Sequence, residues 1–465
     1  MTRAPLLAAA VALGCAPPSD TDEERALREL VPAVDVDPDP SVVEIELVAA
    51  PASFSYVDGT NTDVWAYRDR NGGDARVPGP LIEAELGQTL VVHLKNDLPD
   101  PTTIHWHGVR LPEAMDGNPM QHGPVQPGAS FTYRFELIDA GTFWYHPHVD
   151  PDVQVERGLH GALVVRDPAD PPVDRERVLM LDDIELDEDG ALVIDASPED
   201  LEMGRHGNTL LVNGGLPGTL DVQAGTLERW RIVDVANGRL FALALGDETL
   251  DVIAGDGGLL PAPIAADELA LVPGERHELL LAIGSDDDGL ALRTAPDHAD
   301  APGSDDLTLA VLAVAGDAVR PAKPAYARTI DPLPLAATTV ARRFELRADL
   351  DPPEFPTFFI NDQRWPLDTP VHVELGDVEI WEVVNLGDHA HPFHIHGLFA
   401  LVLDDTGAPD LAQGWKDTVQ VPARGRTRLA MRYDAPGMWM YHCTIPEHAE
   451  RGMMGDLHVM ADDGG

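Results

Sequence analysis

The chain has 465 residues, 44% of them hydrophobic, with 80 acidic against 32 basic side chains and a formal net charge of −48. That length exceeds what one hydrophobic core supports, so two to four domains are expected, and the charge excludes nucleic acid, whose phosphates demand a basic surface. Forty-one glycines and 41 prolines spread along the chain suit short strands joined by turns, and the acid excess by itself serves solubility and names no partner.

From the start of the chain, Met1 to Cys15 holds Arg3, the apolar run Leu6 to Leu13, and then Gly14 and Cys15. This reads as an export signal whose apolar run is too short to span a bilayer. Its end, Ala12-Leu13-Gly14-Cys15, resembles the lipobox of bacterial lipoproteins, with a plain secretory signal as the alternative. Cleavage before Cys15 leaves a lipidated cysteine at the periplasmic or cell surface, and residues 16–40, acidic and Pro-rich, read as a flexible linker. No other stretch is long and apolar enough to cross a membrane. The only other cysteine, Cys443, is left with no disulfide partner, and a lone thiol in an exported protein calls for another role.

Three segments then share Leu or Ala, Gly, and a short strand ending in Asn: Leu86-Gly87 to Asn96, Ala224-Gly225 to Asn237, and Leu375-Gly376 to Asn385. They predict one sandwich domain repeated three times, at 41–168, 174–319 and 336–463, divided by the Pro-rich linkers at Asp167 to Val173 and Arg320 to Pro334. An all-β chain is expected.

Nine of the 18 histidines fall in four clusters: His105-Trp106-His107, His146-Pro147-His148, His391-Pro392-Phe393-His394-Ile395-His396, and His442-Cys443 with His448 and Met453. Side chains at i and i+2 of a strand point the same way, so each His-x-His aims two imidazoles at one point. Imidazole suits copper, and a thiolate with two histidines and a weak axial methionine is the blue-copper arrangement. The isolated histidines at 93, 206, 277, 298, 372 and 458 read as ordinary side chains, and Met438, Met440 and Met454 as core.

These clusters, in this order, resemble the four copper signatures of the multicopper oxidases, and Gly117, Pro127-Gly128 and Trp144-Tyr145 fit the bacterial three-domain, laccase-like members. The resemblance implies three cupredoxin-like Greek-key β-sandwich domains and four coppers. By position, His391, Cys443, His448 and Met453 match the type 1 ligands, and His105 and His394 the type 2 ligands. His107, His146, His148, His396 and His442 match five of the six type 3 ligands, while the sixth position is Thr444. Asp116, in Met115-Asp116-Gly117, matches an acid that helps deliver protons to reduced oxygen, and an Asp-Gly turn is its plainer reading. Glu447 and Glu450 read as solvated, and the middle repeat, which holds no His-x-His, as spacing and packing.

The function implied is one-electron oxidation of a phenol, an aromatic amine, or Cu(I) or Fe(II), coupled to four-electron reduction of dioxygen to water. The absence of a methionine-rich insert between Thr329 and Val371 favours small organic donors. The alternative, which rests on Thr444, is a copper-binding or electron-carrying protein with an impaired trinuclear site, unless His122, His160 or His389 supplies the missing ligand.

Overall fold

The computed structural model describes residues 25–57, 59–296, 306–335, 339–366 and 369–461; the expected signal at Met1 to Cys15 lies outside them. Three two-sheet sandwiches follow one another along the chain, with only short helices between strands. In the first, Thr62–Asp69, Val42–Phe54, Thr89–Asn96 and Ser130–Glu136 form one sheet in that order, facing a second made of Ile82–Glu85, Gly161–Arg166, Gly141–His146 and His105–His107. Alternation along Val42–Phe54 turns Val43, Ile45 and Leu47 inward onto Leu90, Val92, Trp106 and Tyr145. Burying each such aliphatic side chain contributes about 1.5–3 kcal/mol before its entropy is counted.

The repeat read from the sequence is one turn used three times. Gly87, Gly225 and Gly376 sit at φ +89°, +83° and +89° two residues before Thr89–Asn96, Leu227–Asp234 and Val378–Asn385, in the left-handed region that favours glycine. Each of these strands pairs in parallel with an earlier strand of its domain, at Val42↔Thr89, Glu228↔Arg175 and Arg342↔Trp381. At their far ends the side chains of Asn96, Asp234 and Asn385 accept from the N–H groups of Leu98, Ala236 and Gly387. The middle counterpart is therefore Asp234 and not Asn237, whose side chain turns to Glu447 instead.

Residues 25–40 differ from the free linker expected of them. The N–H of Leu27 donates to the Thr219 carbonyl at 2.7 Å and that of Ala33 to Leu81 at 2.8 Å, while the Leu27 side chain is buried in the middle core. One leucine docked in an apolar site outweighs the acidic average of the segment. No helix among the described residues is long and apolar enough to cross a membrane.

In the third domain Val371–Glu374, Met454–Met460, Gly437–Cys443, His391–Ile395 and Thr418–Val421 form a sheet in that order. Its register sets Phe393 opposite Cys443 and His394 opposite both His442 and Thr418. Because neighbours on a strand face opposite ways, Cys443 points into this domain's own core while His442 points out toward the first domain.

Candidate metal centre

The inward side of that register builds a compact donor set. The Cys443 Sγ lies 3.7 Å from His391 Nδ1 and 3.6 Å from His448 Nδ1, and the two nitrogens are 3.2 Å apart. All three residues are buried, and fully buried Met453 belongs to the same apolar cluster as Cys443. The sequence positions His448 on the short helix Pro446–Glu450, whose Pro446 occupies the first turn where a missing N–H has no consequence. Burial pushes the Cys443 thiol up and lowers His391 to about 4, so neither group gains by carrying charge without a partner. At its far edge, His448 Nε2 donates to the Glu202 carbonyl at 2.9 Å, at the end of the helix Pro198–Met203.

The outward side builds a larger one. Donor atoms of His148, His396 and His442 lie within 4.8 Å of one another, as do those of His105, His107 and His146 and those of His105, His394 and His396. The Nε2 atoms of His396 and His442 are 3.0 Å apart, and those of His148 and His442 3.4 Å. Burial first, and then the neighbouring imidazoles, hold His107, His146, His148 and His442 well below the usual histidine value. The rings are neutral donors.

The residues fit a metal. His105, His146 and His394 each tie Nδ1 to a backbone carbonyl, of Asp116, Pro147 and Asp417 in turn. Their buried Nε2 atoms have no hydrogen-bond partner among the described residues, and an unmet lone pair in such a place is what a cation satisfies. Nine imidazoles and one thiol in two adjoining groups are the ligand chemistry of copper.

Asp116 sits behind these rings. Its Oδ2 lies 2.8 Å from His396 Nδ1, and its carbonyl takes the proton of His105 Nδ1. Burial alone would raise its pKa, but His396 and His105 hold it well below the usual carboxylate range. Gly117 allows the approach, since a Cβ there would meet the Ile104 carbonyl oxygen at 1.8 Å.

Thr444 is turned away from the rings in its polar part: Oγ1 donates to the Pro273 carbonyl at 2.6 Å, and its methyl faces the same space as His107 over Gly274. A cavity of about 30 Å³ opens there between His107, His146, Asn237 and Thr444. Among the described residues no other histidine fills the position. His122 stacks on Phe131, His160 lies 3.8 Å from Asp182, and His389 lies 3.9 Å from Glu202.

Two expectations change. Glu447 is buried, not solvated: Asn237 donates to its Oε1 at 3.2 Å, Arg205 stands 3.4 Å away, and burial raises its pKa. The middle domain is more than a spacer, because Gly274 lies against His107 and Arg276 reaches Asp417, which in turn faces His107 and His394. Sequence reasoning missed Arg276 and Asp417, since an isolated Arg and Asp 141 positions apart carry no local signal. Met440 and Met454 are core, as expected, while Met438 is partly exposed.

Comparison with known proteins agrees with this arrangement. Three family models described as multicopper oxidase match residues 52–170, 178–314 and 337–463. The multicopper oxidase MmcO of Mycobacterium tuberculosis is 29% identical over 426 residues, covering 81% of this chain and 80% of its own. The cell division protein FtsP of Escherichia coli is 28% identical, covering 88% of each. Among solved structures, a multicopper oxidase from Campylobacter jejuni described as a metallo-oxidase superposes with a TM-score of 0.82 at 29% identity, covering 95% of this chain and 96% of that one. With all three sandwiches matched in order, and histidine and thiol donors gathered in two adjoining groups, this chain belongs to the multicopper oxidases.

Proposed function

We propose that the chain is a laccase-like oxidase that accepts single electrons at His391, Cys443, His448 and Met453 and delivers them to dioxygen at the cluster of His105, His107, His146, His148, His394, His396 and His442. Copper, when bound, supplies the redox chemistry at both places, with four ions expected. The observation that carries this reading is the alternation at His442-Cys443, which joins the two donor groups through one peptide unit. Asp116 orients His396 and His105 and stands within one water of the cluster, where a carboxylate can pass protons. The apolar shell about Cys443 excludes water from the thiol.

The donor meets the helix Pro198–Met203 and its surroundings, because the Glu202 carbonyl covers the His448 nitrogen that faces away from Cys443. Small organic donors, phenols or aromatic amines, fit contact across such a cover, and the acidic Glu199, Asp200 and Glu202 favour those that carry positive charge, including Cu(I) and Fe(II). The copper-loaded protein should be blue and consume oxygen with a simple aromatic donor, and Cys443→Ser should abolish both. Loaded protein without intense thiolate absorption contradicts the assignment.

The second reading is a protein with a weakened cluster, favoured by the Thr444 hydroxyl being committed to Pro273. The copper held by His107 and His146 then lacks its third protein ligand. The similarity to a cell division protein is compatible with it. Export and lipidation at Cys15 complete the proposal: the mature protein should fractionate with membranes and Cys15→Ser should release it or block processing, while an unchanged, fully soluble distribution of both contradicts the anchor.

A further inference from the structure

Two histidines that stand alone in the sequence meet on the outer face of the third domain. His372 lies on Val371–Glu374 and His458 on Met454–Met460, and the parallel register of these strands sets the two side by side. The next strand of the sheet, Gly437–Cys443, sets Met438 opposite His458. Val373, Leu457, Val459, Trp439 and Tyr441 fill the core of this domain, so alternation turns His372, His458 and Met438 out on the other face. His372 is exposed, His458 half-buried and Met438 39% exposed. The three form one row across adjacent strands, a spacing that puts neighbouring Cβ atoms about 5 Å apart.

The two rings stand to each other as the ligand rings inside the molecule do. The centroids of His372 and His458 are 5.0 Å apart and their planes meet at 89°. In the histidine cluster His148 and His442 stand at 5.0 Å and 86°, and beside Cys443 His391 and His448 stand at 5.0 Å and 68°. Two imidazoles with a thioether are a soft donor set, which suits Cu(I). The rest of the face favours a soft cation as well. Of the three exposed methionines among the described residues, Met120, Met438 and Met460, two lie here. Glu374 and Asp456, each two residues along from a member of the row, add a negative field.

We infer that His372, His458 and Met438 form a surface site for one Cu(I) ion, separate from the two donor groups inside the molecule. Met438 is five residues from Cys443 on the same strand, about 17 Å at the rise of an extended chain. The ion is held there by coordination alone, with no change of oxidation state. The site does not depend on the oxidase reading, since a protein with a weakened histidine cluster keeps all three donors.

The test is a titration of the copper-loaded protein, reduced under argon, with Cu(I) against a competing colorimetric chelator. The parent should take up one Cu(I) more than the double variant His372→Gln with His458→Gln. Met438→Leu keeps the bulk of the side chain and removes the sulfur. It should weaken the extra ion at least about tenfold, because losing even an outer partner of a ligand commonly costs that much. Ag(I), equally soft and singly charged but fixed in oxidation state, should shift the ring-proton NMR signals of His372 and His458 in the parent. Equal Cu(I) uptake by the parent and the double variant overturns the site, as do ring signals that Ag(I) leaves in place. Unaltered Cu(I) affinity in Met438→Leu overturns the three-donor assignment. Uptake of the extra ion by a protein that is not blue leaves this site standing and contradicts the oxidase reading instead.

Discussion

At Thr444 one hydroxyl stands where the family pattern places an imidazole. Because its Oγ1 is turned to the Pro273 carbonyl, a copper held by His107 and His146 would, on the proposed reading, complete its shell from solvent in the small cavity beside them. Losing even an outer partner of a ligand commonly costs tenfold to a hundredfold in affinity, so Thr444→His should raise copper affinity at this position by at least about tenfold and speed oxygen turnover. The blue absorption should stay constant, since Cys443 faces the opposite way. Equal copper content and equal turnover in the two proteins would show that Thr444 carries no such cost. Most of the donor residues were legible because His-x-His spacing on a strand has a direct geometric meaning. Glu447, Arg276 and Asp417 were not, because nothing local distinguishes a buried carboxylate among 80 acidic residues, and burial here is decided by domains meeting far along the chain.

At the scale of elements, the helix Pro198–Met203 ends over His448. Ser197 and Asp200 close a capping box at its start, which is worth about 1 kcal/mol to so short a helix. That anchors the Glu202 carbonyl on His448. On the proposed reading Glu199 and Glu202 lie beside the donor's approach, and a surface pair in water is worth about 1 kcal/mol. The double change Glu199→Gln and Glu202→Gln should raise KM for a cationic aromatic amine by about fivefold or less at low salt. It should leave a neutral phenol unaffected, and the difference should vanish as salt rises. Steady-state kinetics with both donors at two ionic strengths checks this; equal shifts for both donors would mean the helix acts by shape alone. The three strand repeats were legible through Gly87, Gly225 and Gly376, each required by a left-handed turn. The matching of Asn237 failed because the sequence cannot tell a residue that closes a strand from one that reaches across an interface.

At the scale of the whole molecule, two outer domains supply the donors and the middle one braces them, so stability and metal binding are linked. His391 and His160 are held near 4 and His396 near 3 by burial, against 6.5 for a free ring. The unfolded chain therefore takes up protons that the metal-free fold does not. Stability is unaffected above about pH 6.5 and lost as pH falls from there toward 4. The denaturation midpoint of the metal-free protein should drop steeply over that window, and a flat profile would mean the rings are already protonated in the fold. The most direct test of the whole account is the visible thiolate absorption of the copper-loaded protein, followed while an aromatic donor is added under argon and air is then admitted. Bleaching by the donor and return of the colour with oxygen, faster in Thr444→His, is the expected result; colour that is absent, or that bleaches and does not return, would contradict an electron path from Cys443 to the histidine cluster.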